Sequence, residues 1–228
     1  MRLTLFPLLV AAAALSAGCS DDNTSPEGDG HLRIVHVSPD APDLDVVLDG
    51  DTVASAVAYL GSTDYLRLSA AGHVLQIADA NAGTTLIDQD VTVADRTDYT
   101  MIVGDTLAHI RGALLTDDNR TPPAGTIRIR AVHEAPHAGA VDVYVTEPEA
   151  DLTLAVPAAS NVTFGQVLPY VQTNAGTYQV RVTPRGSKEV VIDSGPLTLE
   201  TSQVRTVIAV ETPGGGQPFD FLVLNDLN

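Results

Sequence analysis

The chain has 228 residues, with 12 basic against 29 acidic side chains and a formal net charge of -17. A surface this acidic repels phosphate backbones, which excludes nucleic acid as a partner class. One cysteine leaves no internal disulfide, and with 44% hydrophobic residues, only 4% aromatics and no Trp, the cores must be built from Val, Ile, Leu and Ala, a palette that favours strands.

At the N-terminus a basic Arg2, the apolar segment 3–15 and small residues lead to Leu15-Ser16-Ala17-Gly18-Cys19. The apolar segment is too short to span a bilayer, and the layout is that of a cleaved export signal. The ending resembles the bacterial lipobox, in which the cysteine is acylated and becomes the first mature residue. Residues 1–18 are therefore expected to be a lipoprotein signal and Cys19 the lipidated residue. Removing the signal takes away Arg2 alone among the charged groups, leaving 11 basic against 29 acidic side chains.

Residues 20–30 carry nothing apolar to bury and predict a disordered stalk, holding the body on the order of 20 Å from the bilayer. By resemblance to Gram-negative sorting, Ser20 after the cysteine, in place of Asp, directs the protein to the outer membrane.

An internal duplication follows. Residues 32–48 and 129–145 align without gaps, with Arg33 on Arg130, His36 on His133, Pro39 on Pro136 and Asp45 on Asp142. Further along, Tyr59 falls on Phe164, Tyr65 on Tyr170 and Ile87-Asp88 on Ile192-Asp193. A period near 100 residues is far too long for a solenoid, so each copy should be a domain with its own core.

Polar residues and Pro122-Pro123 mark 116–125 as a linker that limits the copies' freedom without fusing them. The expected units are thus 19–30 (acylated cysteine and stalk), 31–115, 116–125 and 126–228.

Within each copy apolar residues recur with a period of two, as at Leu32 and Ile34 and at Val91 and Val93. Turn signals such as Asp49-Gly50, Ala71-Gly72 and Arg185-Gly186 interrupt every ten residues or so. Seven or eight short strands per copy predict an all-β chain of two tandem antiparallel immunoglobulin-like β-sandwich domains.

The run His36-Val37-Ser38-Pro39-Asp40-Ala41-Pro42, followed by Asp45-Val46-Val47-Leu48-Asp49-Gly50, resembles the signature of the domain-of-unknown-function family 4397. The second copy carries it more loosely, with His137 and Gly139 in place of the acidic residue and second proline. The resemblance implies exported bacterial proteins, often with tandem copies, and brings no catalytic residues.

His133-Glu134-Ala135-Pro136-His137 satisfies the zinc-protease spacing, but Pro136 breaks the helix that chemistry needs, and the first copy lacks both the Glu and the second His. A triad of Ser38, His36 and Asp45 fails because residues two apart on an extended chain do not bring Ser Oγ to the ring nitrogen. His36, Pro39, His133 and Pro136 read instead as structural loop residues, each histidine donating to a loop carbonyl.

Asp40, Asp43, Asp45 and Asp142 are candidate ligand-binding residues, with calcium the ion their oxygens would suit, although their spacing is not that of an EF-hand. Tyr59, Tyr65, Phe164 and Tyr170 read as core or rim packing before sugar stacking. The expected function is a non-enzymatic cell-envelope lipoprotein, an interaction or spacer module that meets the membrane through its lipid and has an envelope protein or a glycan as partner. The alternative is a binding module for a glycan or calcium through loops at one end of a sandwich. A metal-dependent hydrolase is a disfavoured third, and no cofactor is required.

Overall fold

The structure, a computed structural model, describes residues 28–227. The expected signal, Cys19 and nearly all of the stalk lie outside the described residues. The first copy forms β1 (Asp29–His36), β2 (Leu44–Leu48), β3 (Asp51–Val57), β4 (Leu66–Ser69), β5 (Gly72–Asp79), β6 (Thr85–Thr92), β7 (Asp98–Gly104) and β8 (Arg111–Asp117). The second forms β9 (Thr126–His133), β10 (Val141–Thr146), β11 (Ala159–Val162), β12 (Val171–Asn174), β13 (Gly176–Pro184), β14 (Ile192–Leu199), β15 (Val204–Val210) and β16 (Asp220–Leu227).

Each copy is a β-sandwich of two four-stranded sheets. Their orders are β4-β1-β7-β8 with β3-β2-β5-β6, and β12-β9-β15-β16 with β11-β10-β13-β14. Pairing is antiparallel except for β1 with β7 and β9 with β15, which run parallel. In the first sandwich Leu32, Ile34, Met101 and Val103 of one sheet pack against Leu44, Val46, Leu75 and Ile77 of the other, the inward half of the period-two pattern.

The opposite faces of β1, β7, β9 and β15 are buried too. Val35, Val37 and Ile102 of the first copy form one cluster with Val132, Ile208, Val210 and Leu224 of the second. The four sheets therefore stack in layers, and the two inner sheets meet across a seam between the copies. This departs from the expected loose linkage: the two domains share a core and are fused.

The boundaries differ in detail for local reasons. β1 begins at Asp29, two residues inside the expected stalk, and pairs with β4 through Asp29 and Gly30. Gly30 has no side chain to register in a hydropathy pattern, and a Cβ there would come within 2.6 Å of the Ala94 carbonyl. At the other end β8 continues through Thr116 and Asp117, which read as the start of the linker because they are polar. Asp117 is nevertheless buried, for it belongs to the seam.

Candidate functional site

The repeated histidine motifs lie at one end of the body. β1 enters at Asp29 and leaves at His36, and β9 leaves at His133 beside it across the seam, so loops 37–43 and 134–140 emerge together. Loops 105–110 and 211–219 close the same end. Both copies thus present their motif loops on the face opposite the start of β1.

In each copy the histidine fastens its own loop. His36 Nε2 donates to the Pro42 carbonyl at 3.1 Å, and its Nδ1 accepts the Ser38 N–H at 3.3 Å. His133 repeats this with the Gly139 carbonyl at 2.9 Å and the Ala135 N–H at 3.3 Å. Burial lowers both imidazole pKa values below the ordinary range, outweighing the carbonyl bonds that favour the charged form. Both rings are therefore neutral, with the proton on Nε2 and no free nitrogen for catalysis or a metal. Ser38 Oγ is buried without a hydrogen-bond partner.

The acidic candidates separate. Asp40 Oδ1 accepts the Leu107 N–H at 2.7 Å, tying the first motif loop to 105–110. Asp43 is exposed beside it. Asp45 and Asp142 each hold a neighbouring strand where it bulges: they accept the N–H of Ala56 at 2.9 Å and of Asn161 at 2.8 Å, and both of those residues have positive φ. Asp142 also accepts the Gly186 N–H, and these two backbone bonds hold its carboxyl below the usual range. Among the described residues no three His, Cys, Asp or Glu side chains come together as a metal site.

The seam at this end is closed around two side chains that the motif reading did not single out, Glu211 and Arg111. Glu211 is buried and accepts the His137 N–H at 2.6 Å, His137 Nδ1 at 2.8 Å and the Gly216 N–H at 2.6 Å. That bond and the charge of Glu211 raise the pKa of the exposed His137 ring. Tyr59 of the first copy donates to the Glu211 carbonyl at 2.7 Å, and the Gly214 N–H donates to Pro39 O at 2.7 Å. Arg111 of the first copy stacks 4.9 Å over Phe164 and approaches the buried Glu134 carboxylate at 3.3 Å. Desolvation pushes Glu134 up to about 7 despite Arg111.

Deeper in the seam, Arg33 stacks over Tyr65 at 4.7 Å and pairs with Asp226 of the second copy at 2.6 Å. Arg130 stacks over Tyr170 at 4.7 Å and pairs with Asp117 of the first. Thr100 and Tyr65 donate to Asp117, as Thr206 and Tyr170 do to Asp226. The four paired aromatics are thus seam residues, in ring contact with arginine or histidine. One sequence signal for this existed, the in-register repeat of Arg33 at Arg130 on otherwise apolar strands.

The family model described as Domain of unknown function (DUF4397) matches residues 30–144 and 146–228, two segments that meet within β10. No curated protein matches the chain in sequence. Among solved structures the chain is similar to a family 41 carbohydrate-binding module from streptococcal virulence factors that recognises alpha-glucan, at 13% identity over 84% of this chain and 96% of that one, TM-score 0.28. It is similar also to the CBM26 module of Amy13K from Eubacterium rectale, solved with maltoheptaose, at 13% identity over 86% and 96%, TM-score 0.25. A third is an alpha-glucan-binding streptococcal virulence factor, at 10% identity over 78% and 92%, TM-score 0.26.

Proposed function

The chain belongs to the DUF4397 family, and from that premise we propose that it is a non-enzymatic, lipid-tethered module of the cell envelope that holds an interaction face at a set distance from the membrane. The observation that carries this reading is the placement of both motif loops at the end opposite Asp29, on two sandwiches fused through one seam. A tether entering before β1 then projects that face away from the bilayer, and the fused body keeps it from swinging. The outer membrane is the proposed location, by the residue after Cys19.

The engaged histidines support the non-enzymatic part. His36 and His133 have no ring nitrogen to offer a nucleophile, and Asp45 serves a strand bulge and not a histidine. A binding module for a glycan or calcium through the end loops stays as the alternative.

Cell fractionation tests the tether. The mature chain should sediment with membranes and its N-terminal Cys19 should carry acyl groups by mass spectrometry; an unmodified Cys19 in the membrane fraction would refute lipid anchoring. Thermal unfolding with calcium, and calorimetric titration with maltoheptaose, separate the two readings. No shift and no heat support the interaction module, while a melting temperature raised by several degrees moves the end loops to ligand binding.

A further inference from the structure

The two copies differ inside their sandwiches more than in their motifs. The first buries eleven apolar residues in one cluster, the second only five. Between the sheets of the second lies an open cavity of about 270 Å³. Val141, Val143 and Val145 line it from one sheet and Ala131, Val207 and Ala209 from the other.

Strand register shows where the space comes from. Ile34 pairs with Met101 in the first copy, and Ala131 with Val207 at the same place in the second. Val103 gives way to Ala209 by the same register. Across the other sheet Leu48 faces Leu75 and Val46 faces Ile77, where the second copy has Val145 with Val180 and Val143 with Val182. Leu44 becomes Val141. The seven changes all remove carbon and none adds polarity. Phe221, opposite Ala209 where the first copy has Gly112 opposite Val103, runs the other way and fills the His133 end.

The mouth has a separate cause. In the first copy Asp49-Gly50 turns directly into β3, so Leu48 pairs with Asp51 and is 6% exposed. In the second, residues 147–158 separate β10 from a four-residue β11 that pairs only with Val141 and Val143, leaving Val145 48% exposed. Those connecting residues fold over the outer face instead, held by Arg181 to the Ala150 carbonyl and Lys188 to the Ala155 carbonyl. At this open end the hydroxyls of Tyr178 and Thr173 stand 3.4 Å apart, the Tyr178 O–H donating to the Asn174 carbonyl at 2.8 Å and leaving its oxygen to accept.

Size and shape select the occupant. The volume is well above the roughly 150 Å³ of a dry apolar cavity that admits benzene. Its lining follows β10 from Val141 to Val145, roughly 13 Å at about 3.3 Å per residue. Over that length the volume is a long, narrow slot and not a round chamber. With C–C bonds of about 1.5 Å, an extended chain filling that length has about ten carbons.

We propose that the second sandwich is a binding site for a single aliphatic chain of about ten carbons whose polar head rests at the Tyr178 and Thr173 hydroxyls. The site goes beyond the interaction face and does not depend on it: loops 37–43 and 134–140 do not line the cavity, and only His133 at the base of the second loop reaches it.

The test is calorimetric titration of the whole chain carrying Cys19→Ser, purified without detergent so that no acyl group competes, with decan-1-ol and with decanoate. One saturable site is expected, with a negative heat-capacity change. The variant Ala131→Ile with Val207→Met, which restores the first copy's residues, should bind at least tenfold more weakly while melting no lower than its parent. Val145→Phe at the half-exposed mouth is the second variant and should also weaken binding at least tenfold. Absence of binding, unchanged affinity in both variants, or tighter binding of toluene than of decan-1-ol would each overturn the proposal.

Discussion

Arg33 of the first copy and Asp226 of the second form a buried ion pair at 2.6 Å, and their counterparts Arg130 and Asp117 form the same pair in the opposite sense across the seam. Each arginine is therefore held by a stack on its own copy and a carboxylate on the other. Removing one partner of a buried pair leaves the other charge uncompensated, at a cost of about 3–5 kcal/mol. Arg33→Ala should lower the urea unfolding free energy by that amount, and Arg33→Met with Asp226→Leu should recover most of it. A loss below about 1 kcal/mol for Arg33→Ala would show that the pair does not hold the seam.

Glu134 gives the seam a pH dependence of known sign. Its folded pKa of about 7 lies above the 4.5 of a free carboxyl, because burial opposes ionisation. Between those values the folded state binds the extra proton, so this group's contribution to stability falls as pH rises from about 4.5 to 7. Glu134→Gln removes the charge and should raise stability at pH 8, by on the order of 2 kcal/mol, with little change at pH 4. Chemical denaturation at the two pH values checks it; an equal effect at both would refute the assignment.

His36 and His133 work in the opposite direction. Their folded pKa values are lowered, so below 6.5 the unfolded chain takes up protons that the folded state refuses, and stability falls with acid. Protonation at Nδ1 would also cost the bonds from the Ser38 and Ala135 N–H groups. Replacing His36 with Gln should therefore destabilise the protein at pH 8 and flatten the loss between pH 6.5 and 5 relative to the parent. A slope unchanged by the substitution would mean that His36 titrates normally.

The sheets were legible in the sequence where only one face is buried. At β2 the alternation of Leu44, Val46 and Leu48 with polar or half-buried neighbours reads directly as a strand. At β7 the run Met101-Ile102-Val103 loses that alternation, because Met101 and Val103 enter the sandwich while Ile102 enters the seam. The continuous apolar runs in β7 and β15 were the available sign that the copies are fused.

The end face was half legible. His36, Pro39, His133 and Pro136 stand in the repeated motif, but Arg111 at the start of β8 and Glu211 just after β15 belong to no motif and meet the histidine loops only through tertiary packing. The cavity left the strand pattern unchanged, since Ala131 keeps its inward position apolar as Ile34 does and differs only in the carbon it lacks.

That last pair of residues yields opposite expectations for matched changes at matched sites. Ile34 is fully buried in a filled core, so Ile34→Ala should cost about 2–5 kcal/mol. Ala131 lines open space, so the reverse change, Ala131→Ile, places its added carbons in the cavity without displacing a neighbour. Cavity filling of this kind commonly adds about 0.5–2 kcal/mol. Unfolding of the two single variants against the parent measures both, and destabilisation by Ala131→Ile would mean that the second core is already packed.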